Sequence, residues 1–161
     1  MATTITPAAL TVTITESLSL NGEEQGATTV KSISNIKEVY KRIVRCNDDT
    51  DCTIATFRTG SHTSDEAIDL ENVRYIRVTN LDNANNMNLS LQVSVAENAT
   101  ADGSTTISVG PGESFILHTF HDGVSLDDDA AGVVTALNDL ESLLVDPASE
   151  DIDVEVFIAS V

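Results

Sequence analysis

The segment LTVTITESLSL at residues 10–20 alternates between two kinds of side chain. Its even positions are apolar with one exception: Leu10, Val12, Ile14, Glu16, Leu18 and Leu20. Its odd positions are all Thr or Ser. Because successive side chains of a strand point to opposite faces of a sheet, this period of two predicts a strand with one apolar face. NGEEQG at 21–26 is typical of a turn, and ATTVKSIS at 27–34 resembles a returning strand, so we expect a hairpin.

Short segments with strand character, separated by turn residues, continue to the end of the chain. We expect strands at 52–57, 73–81, 89–95, 104–109, 114–120 and 152–160. Residues 35–46 fit a helix or a strand, and the turn and strand that follow favour the strand. Residues 133–145 have helical spacing of Val133, Leu137, Leu140 and Leu144, but a hairpin from about Leu140 to Ser160 fits equally well.

This pattern predicts an all-β protein, a single antiparallel β-sandwich of the jelly-roll or Ig-like kind with little helix. A chain of 161 residues is long enough for one domain with a substantial core. We expect that domain to cover residues 1–161, with residues 1–9 as a candidate for an extended N-terminal arm. The predicted core residues are Leu10, Val12, Ile14, Leu18, Ile76, Val78, Leu91, Val93, Ile116, Val154, Val156 and Ile158.

The charge is negative and unevenly distributed. The formal net charge is -18, and all eight Lys and Arg residues lie between Lys31 and Arg77. Such a surface repels phosphate backbones and anionic lipids, so we expect neither nucleic acid nor a membrane as a partner. The N-terminal sequence has no basic region followed by an apolar run, which indicates synthesis in a cytoplasm without a signal peptide.

Two features of the sequence are candidates for a disulfide or for calcium binding. Cys46 and Cys52 flank a five-residue turn and are candidates for a disulfide, although a protein made in a cytoplasm usually keeps its thiols reduced. Two acidic clusters are weak calcium candidates, because clustered carboxylates suit calcium but neither cluster has the spacing of a known calcium loop. They consist of Asp48, Asp49 and Asp51, and of Asp127, Asp128 and Asp129.

The sequence has no pattern that indicates catalysis. It contains no G-x-S-x-G nucleophile elbow and no glycine pattern for cradling phosphate. We therefore expect a protein that is not an enzyme and needs no cofactor. Arg74 and Arg77 lie three residues apart on a predicted strand and should point to opposite faces. We expect each to pair with carboxylates or to contact a neighbouring subunit.

The concentration of cations in one part of the chain suggests an assembly surface. Lys37, Lys41 and Arg45 should share one face of a strand, and with Arg42 they are the interface candidates. They could meet the acidic half of another subunit, an arrangement that steers association and fixes register. Pairing with acidic residues of the same chain explains them equally well.

Several segments of the sequence resemble small virion structural proteins of marine short-tailed phages, the cyanophage kind in particular. They are ESLSLNG at 16–22, SISNIKEVYKRIV at 32–44, NVRYIRVTNLD at 72–82, ISVGPGESFIL at 107–117 and IDVEVFIASV at 152–161. The resemblance implies a β-rich subunit present in many copies on the virion, as a capsid decoration (cement), fibre or tail protein. It implies self-association and a capsid or tail protein as partner. The alternative is a separate β-sandwich module that binds carbohydrate or a receptor with the help of calcium.

Overall fold

The computed structural model describes residues 4–58, 67–94, 103–118, 124, 132–133 and 137–161. The chain divides into two compact units, Met1–Glu38 together with Val161, and Val39–Ser160. We call residues 4–38 the arm and Val39–Ser160 the body. The sequence suggested an arm of residues 1–9 on a single domain, whereas the N-terminal unit of the structure extends to Glu38.

The arm is an antiparallel β-hairpin. Strand β1 (Ala8–Thr15) pairs with β4 (Thr28–Ile36), and the short strands β2 (Ser19–Leu20) and β3 (Glu23–Glu24) pair beyond them. The turn between β2 and β3 consists of Asn21 and Gly22, both at positive φ, as a two-residue hairpin turn requires. The hairpin predicted from the alternating sequence is therefore confirmed.

The body consists of strands, with one short 3₁₀ turn at Leu70–Asn72. The strands are β5 (Glu38–Cys46), β6 (Cys52–Arg58), β7 (Ile68–Asp69), β8 (Val73–Asn80), β9 (Met87–Ser94), β10 (Gly103–Val109), β11 (Ser114–His118), β12 (Asp139–Pro147) and β13 (Ile152–Ser160). The all-β prediction is confirmed, as is the strand at 35–46.

Two sheets make up the body, one in the order β11-β8-β13-β5 and the other in the order β10-β9-β12-β6-β7. The two sheets have corresponding neighbours. In one sheet β8 pairs with β11 and β5 neighbours β13, and in the other β9 pairs with β10 and β6 neighbours β12. Apart from the short β7, this is the strand order of a jelly roll, in which the chain alternates between two sheets.

This alternation corrects two predictions about connections. The segment at 133–145 is not a helix where it is described from residue 137 onward, since β12 begins at Asp139. The predicted hairpin from Leu140 to Ser160 is wrong, because β12 and β13 belong to different sheets. The same holds for β5 and β6, so Cys46 and Cys52 lie at the two ends of a connection between sheets.

The core of the body lies between the two sheets. Both contribute fully buried side chains, among them Val154 and Val156 from one sheet and Leu89 and Val145 from the other. Seven of the predicted core residues are confirmed as buried: Ile76, Val78, Leu91, Val93, Val154, Val156 and Ile158.

The remaining five core predictions are wrong or only partly right. Ile14 and Leu18 in the arm and Ile116 on β11 are exposed, and Leu10 and Val12 are half-buried. The pattern in β1 correctly identifies an apolar face, but the sheet of β1 and β4 has only two strands. Ile116 is opposite Arg77 on an edge strand, on the side of the sheet that faces away from the core.

Candidate assembly surface

The end of the arm has a defined conformation. We call residues 16–26 the arm tip. A carboxylate oxygen of Glu24 accepts hydrogen bonds from the backbone N–H groups of Leu18 at 3.2 Å and Gly26 at 3.0 Å. Gly26 also lies against the backbone of Glu16, because a Cβ atom at this position would be only 2.1 Å from the Glu16 carbonyl oxygen. The backbone of the tip is thus fixed by contacts within the tip itself.

The tip combines exposed leucines with acidic residues. Leu18 and Leu20 are 56% and 58% exposed. Glu16, Glu23 and Glu24 are also exposed, and the tip contains no Lys or Arg. The tip is therefore both apolar and negatively charged.

The apolar side chains of β1 lie on one face of the arm. The register places Leu10 opposite Ile33 and Ile14 opposite Thr29, so these side chains share one face of the hairpin. Burial decreases along this face, because Ile33 is buried whereas Ile14 is 50% exposed. A two-stranded hairpin alone is marginally stable in water, so a partner that covers this face would stabilise the arm.

Two of the four predicted interface cations are paired within the body. The ammonium group of Lys41 lies 3.1 Å from a carboxylate oxygen of Glu155. The guanidinium group of Arg45 lies 3.5 Å from Asp151 and 3.4 Å from Asp153. The alternative of pairing within the chain therefore accounts for Lys41 and Arg45, while Lys37 is exposed between β4 and β5.

Arg42 has a different environment. It lies on β5 between Tyr40 and Val44, whose side chains pack against the core of the body. Arg42 is nevertheless exposed, and its guanidinium carbon lies 6.0 Å from the centre of the Tyr40 ring. Among the described residues it makes no ion pair.

A groove lies beside Arg42, where β5 of one sheet approaches β6 and β7 of the other. Its volume is about 450 Å³, and its walls consist of Tyr40, Arg42, residues 53–56, Ala67 and Ile68. The Tyr40 hydroxyl donates a hydrogen bond to the carbonyl oxygen of Ile54 at 3.3 Å. None of these wall residues is acidic, although acidic residues predominate in the chain as a whole.

Arg74 and Arg77 stabilise the body. Arg77 forms an ion pair with Glu155 and lies over the Phe157 ring, with 5.7 Å between the guanidinium carbon and the ring centre. Arg74 donates to the backbone carbonyl groups of Glu71 and Val73. The predicted pairing with a carboxylate is thus present for Arg77, and backbone carbonyls are the acceptors for Arg74.

The two cysteines are thiols that lie next to each other. Cys46 is buried and Cys52 is half-buried. Burial raises the pKa of the Cys46 thiol far above its ordinary value, and a hydrogen bond with the Cys52 side chain raises it further. The disulfide between Cys46 and Cys52 remains a prediction. It requires two neighbouring thiols, and the two side chains lie close enough to form a hydrogen bond.

The acidic clusters form no metal site in the part of the chain that the structure describes. Asp48, Asp49 and Asp51 are all exposed, and the backbone N–H of Asp48 binds the Asp151 carboxylate. No group of three or more His, Cys, Asp or Glu residues in the described ranges is arranged to hold a metal. Asp127, Asp128 and Asp129 lie outside the described residues.

Comparison with known proteins adds no relative. No protein-family model, curated protein or solved structure matches the chain. In the described residues, no helix has the length and apolar character needed to cross a membrane.

The sequence predicts Arg42 as an interface candidate, but it indicates neither the groove nor the exposure of the leucines at the tip. The walls of the groove come from segments up to 28 positions apart, from Tyr40 to Ile68, and only the sheet order brings them together. Leu18 is among the predicted core residues because alternation identifies an apolar face without showing what covers it. The Asn21-Gly22 pair is the sequence signal for the hairpin turn of the tip.

Proposed function

We propose that this protein is a non-enzymatic structural subunit of a phage virion. It acts as an outer capsid decoration (cement) subunit or as a fibre or tail subunit, and it binds copies of itself and a capsid or tail protein. The observation that carries the proposal is the arm, a separate two-stranded hairpin whose leucines are exposed at its tip. A two-stranded hairpin with an exposed apolar face is suited to binding another protein surface.

The body is also consistent with this role. Jelly rolls are common in viral capsid proteins, but they also occur in lectins, so the fold alone does not decide between assembly and sugar binding. The resemblance of five sequence segments to virion proteins of marine short-tailed phages favours a role in assembly over sugar binding. The net charge of -18 favours a position away from packaged DNA.

Mass spectrometry of purified particles from the phage that encodes the chain tests the virion role. We expect the protein in the particles at many copies, in a fixed ratio to the major capsid or tail protein. Its absence from washed particles would overturn the proposal.

Self-association is tested separately with the purified protein. Sedimentation velocity over a range of concentrations should show an oligomer larger than the monomer. A chelator should leave that oligomer and the melting temperature unchanged. Calcium-dependent melting together with binding to a glycan array would instead support the carbohydrate-binding alternative.

A further inference from the structure

We infer that the arm tip of one copy binds in the body groove of a second copy, so that subunits associate head to tail. This inference rests on the proposed function, since it requires self-association, and it identifies the two surfaces that would make the contact. The tip comprises residues 16–26, and the groove is the one bordered by Tyr40 and Arg42.

The two surfaces have complementary charge. The tip contains Glu16, Glu23 and Glu24 without a cation. Among the described residues, the wall of the groove contains Arg42 and no Asp or Glu. In a chain with 26 acidic and 8 basic residues, few surfaces can accept an acidic segment without repulsion. Because Lys41 and Arg45 already pair with acidic residues of the body, Arg42 is the cation of β5 that is best placed to receive a glutamate.

The apolar parts of the two surfaces also correspond. Leu18 and Leu20 expose more than half of their surface at the tip. The groove offers apolar surface from Tyr40, Ala67 and Ile68, which are half-buried, whereas its Ile54 and Ala55 are almost fully buried. Its volume of about 450 Å³ is within the range of ligand pockets, which is roughly 300–1,000 Å³. Burying a leucine that is otherwise exposed stabilises a complex, whereas the glutamates remain at the rim near Arg42.

A contact between two different surfaces has a consequence for assembly. Each copy offers one tip and one groove, so the contact is heterologous and repeats from copy to copy. Such repetition closes into a ring or continues as a filament, depending on the rotation between neighbours. Both arrangements are compatible with a subunit present in many copies.

Mixing two defective variants tests this contact. The tip variant carries Leu18→Ser and Leu20→Ser, and the groove variant carries Arg42→Glu. Each alone should be a folded monomer whose self-association is at least about tenfold weaker than that of the wild type. A mixture of the two should form a dimer and nothing larger, because it contains one intact tip and one intact groove per pair. Sedimentation velocity measures the species, and circular dichroism verifies the fold.

Matched controls are available for both variants. Val30→Ser removes an arm side chain that is 61% exposed but lies outside the tip, and Lys37→Glu reverses an exposed cation that is not part of the groove. Both controls should assemble like the wild type. If the tip and groove variants also assemble normally, the inferred contact is overturned while self-association stands. A wild type that stays monomeric at every concentration overturns both.

Discussion

Lys41 and Glu155 form an ion pair between the neighbouring strands β5 and β13, with 3.1 Å between the ammonium nitrogen and a carboxylate oxygen. The other carboxylate oxygen of Glu155 binds Arg77 on β8. Glu155 therefore links three adjacent strands of one sheet. Its side chain is 16% exposed, whereas that of Lys41 is 56% exposed, so Glu155 is the more shielded member of the network.

Replacing Glu155 should destabilise the body more than replacing Lys41. Glu155→Gln keeps the size of the side chain but removes the charge that Arg77 and Lys41 share. We expect the free energy of unfolding to fall by about 1.5–3 kcal/mol, the range for hydrogen bonds to charged groups. Lys41→Ala should cost about 1 kcal/mol or less, because exposed ion pairs contribute little. Urea denaturation measures both, and equal effects of the two variants would contradict this interpretation.

Asp82 should make stability depend on pH in acid. Its carboxylate accepts hydrogen bonds from the backbone N–H groups of Asn85 at 2.7 Å and Ala84 at 2.8 Å, which lower its pKa below the ordinary value of 3.8. A lowered pKa in the folded state contributes stability that is present above pH 3.8 and is lost as the pH falls through the folded value.

The comparison of Asp82→Ala with the wild type over a pH series tests this dependence. The variant should be less stable than the wild type at neutral pH, and the difference should shrink as the pH falls well below 3.8. Asp49→Ala, which removes an exposed acid from another turn, serves as the control. A difference between wild type and Asp82→Ala that stays constant down to pH 2 would show that the carboxylate charge is not what matters.

Cys46 should make the protein less stable in alkali. Burial raises the pKa of its thiol in the folded state above the ordinary value of 9.0. The unfolded chain releases this proton near pH 9 while the folded chain keeps it, so stability is fully present below pH 9 and falls as the pH rises above it. The buried thiol should also resist alkylation.

Alkylation with iodoacetamide, followed by peptide mass spectrometry, measures this protection. In the Cys52→Ser variant, Cys46 should react at the rate at which the protein unfolds and should react fully in denaturant. Rapid labelling of Cys46 under native conditions would contradict the burial. Oxidation of the wild type tests the disulfide, which should raise the free energy of unfolding by roughly 2 kcal/mol if it forms.

The extent to which this structure follows from the sequence differs between elements. The strand predicted at 152–160 coincides with β13, because alternation and a preceding turn define it locally. The sequence alone does not decide between a helix and a strand for β12, because Leu137, Leu140 and Leu144 also have helical spacing. Its pairing with β6 and β9, which are distant in sequence, decides in favour of the strand.

Burial of apolar residues was the least predictable property. Ile14 and Val156 both belong to alternating segments, yet Ile14 is 50% exposed and Val156 is fully buried. The difference arises because β13 lies inside a four-stranded sheet opposite another sheet, whereas β1 belongs to a two-stranded hairpin. Alternation reveals the face, and only the tertiary arrangement reveals what covers it.

Gly26 should be essential for the conformation of the arm tip. A Cβ atom there would be 2.1 Å from the Glu16 carbonyl oxygen, so Gly26→Ala must displace backbone rather than a flexible side chain. The hydrogen bonds of Glu24 to Leu18 and Gly26 should break with it. Gly132→Ala is the matched control, because a Cβ atom at Gly132 would meet nothing within 4 Å.

Hydrogen exchange measured by mass spectrometry distinguishes a local effect from a global one. Gly26→Ala should speed exchange in peptides of the arm and leave the peptides of β8, β9 and β13 as protected as in the wild type. This is expected because the arm and the body are separate compact units, and the strained position lies in the arm. Gly132→Ala should leave the exchange of the arm unchanged. If Gly26→Ala exchanged like the wild type throughout the arm, the close approach to Glu16 would not constrain the tip. If it also released the body, the two units would unfold together.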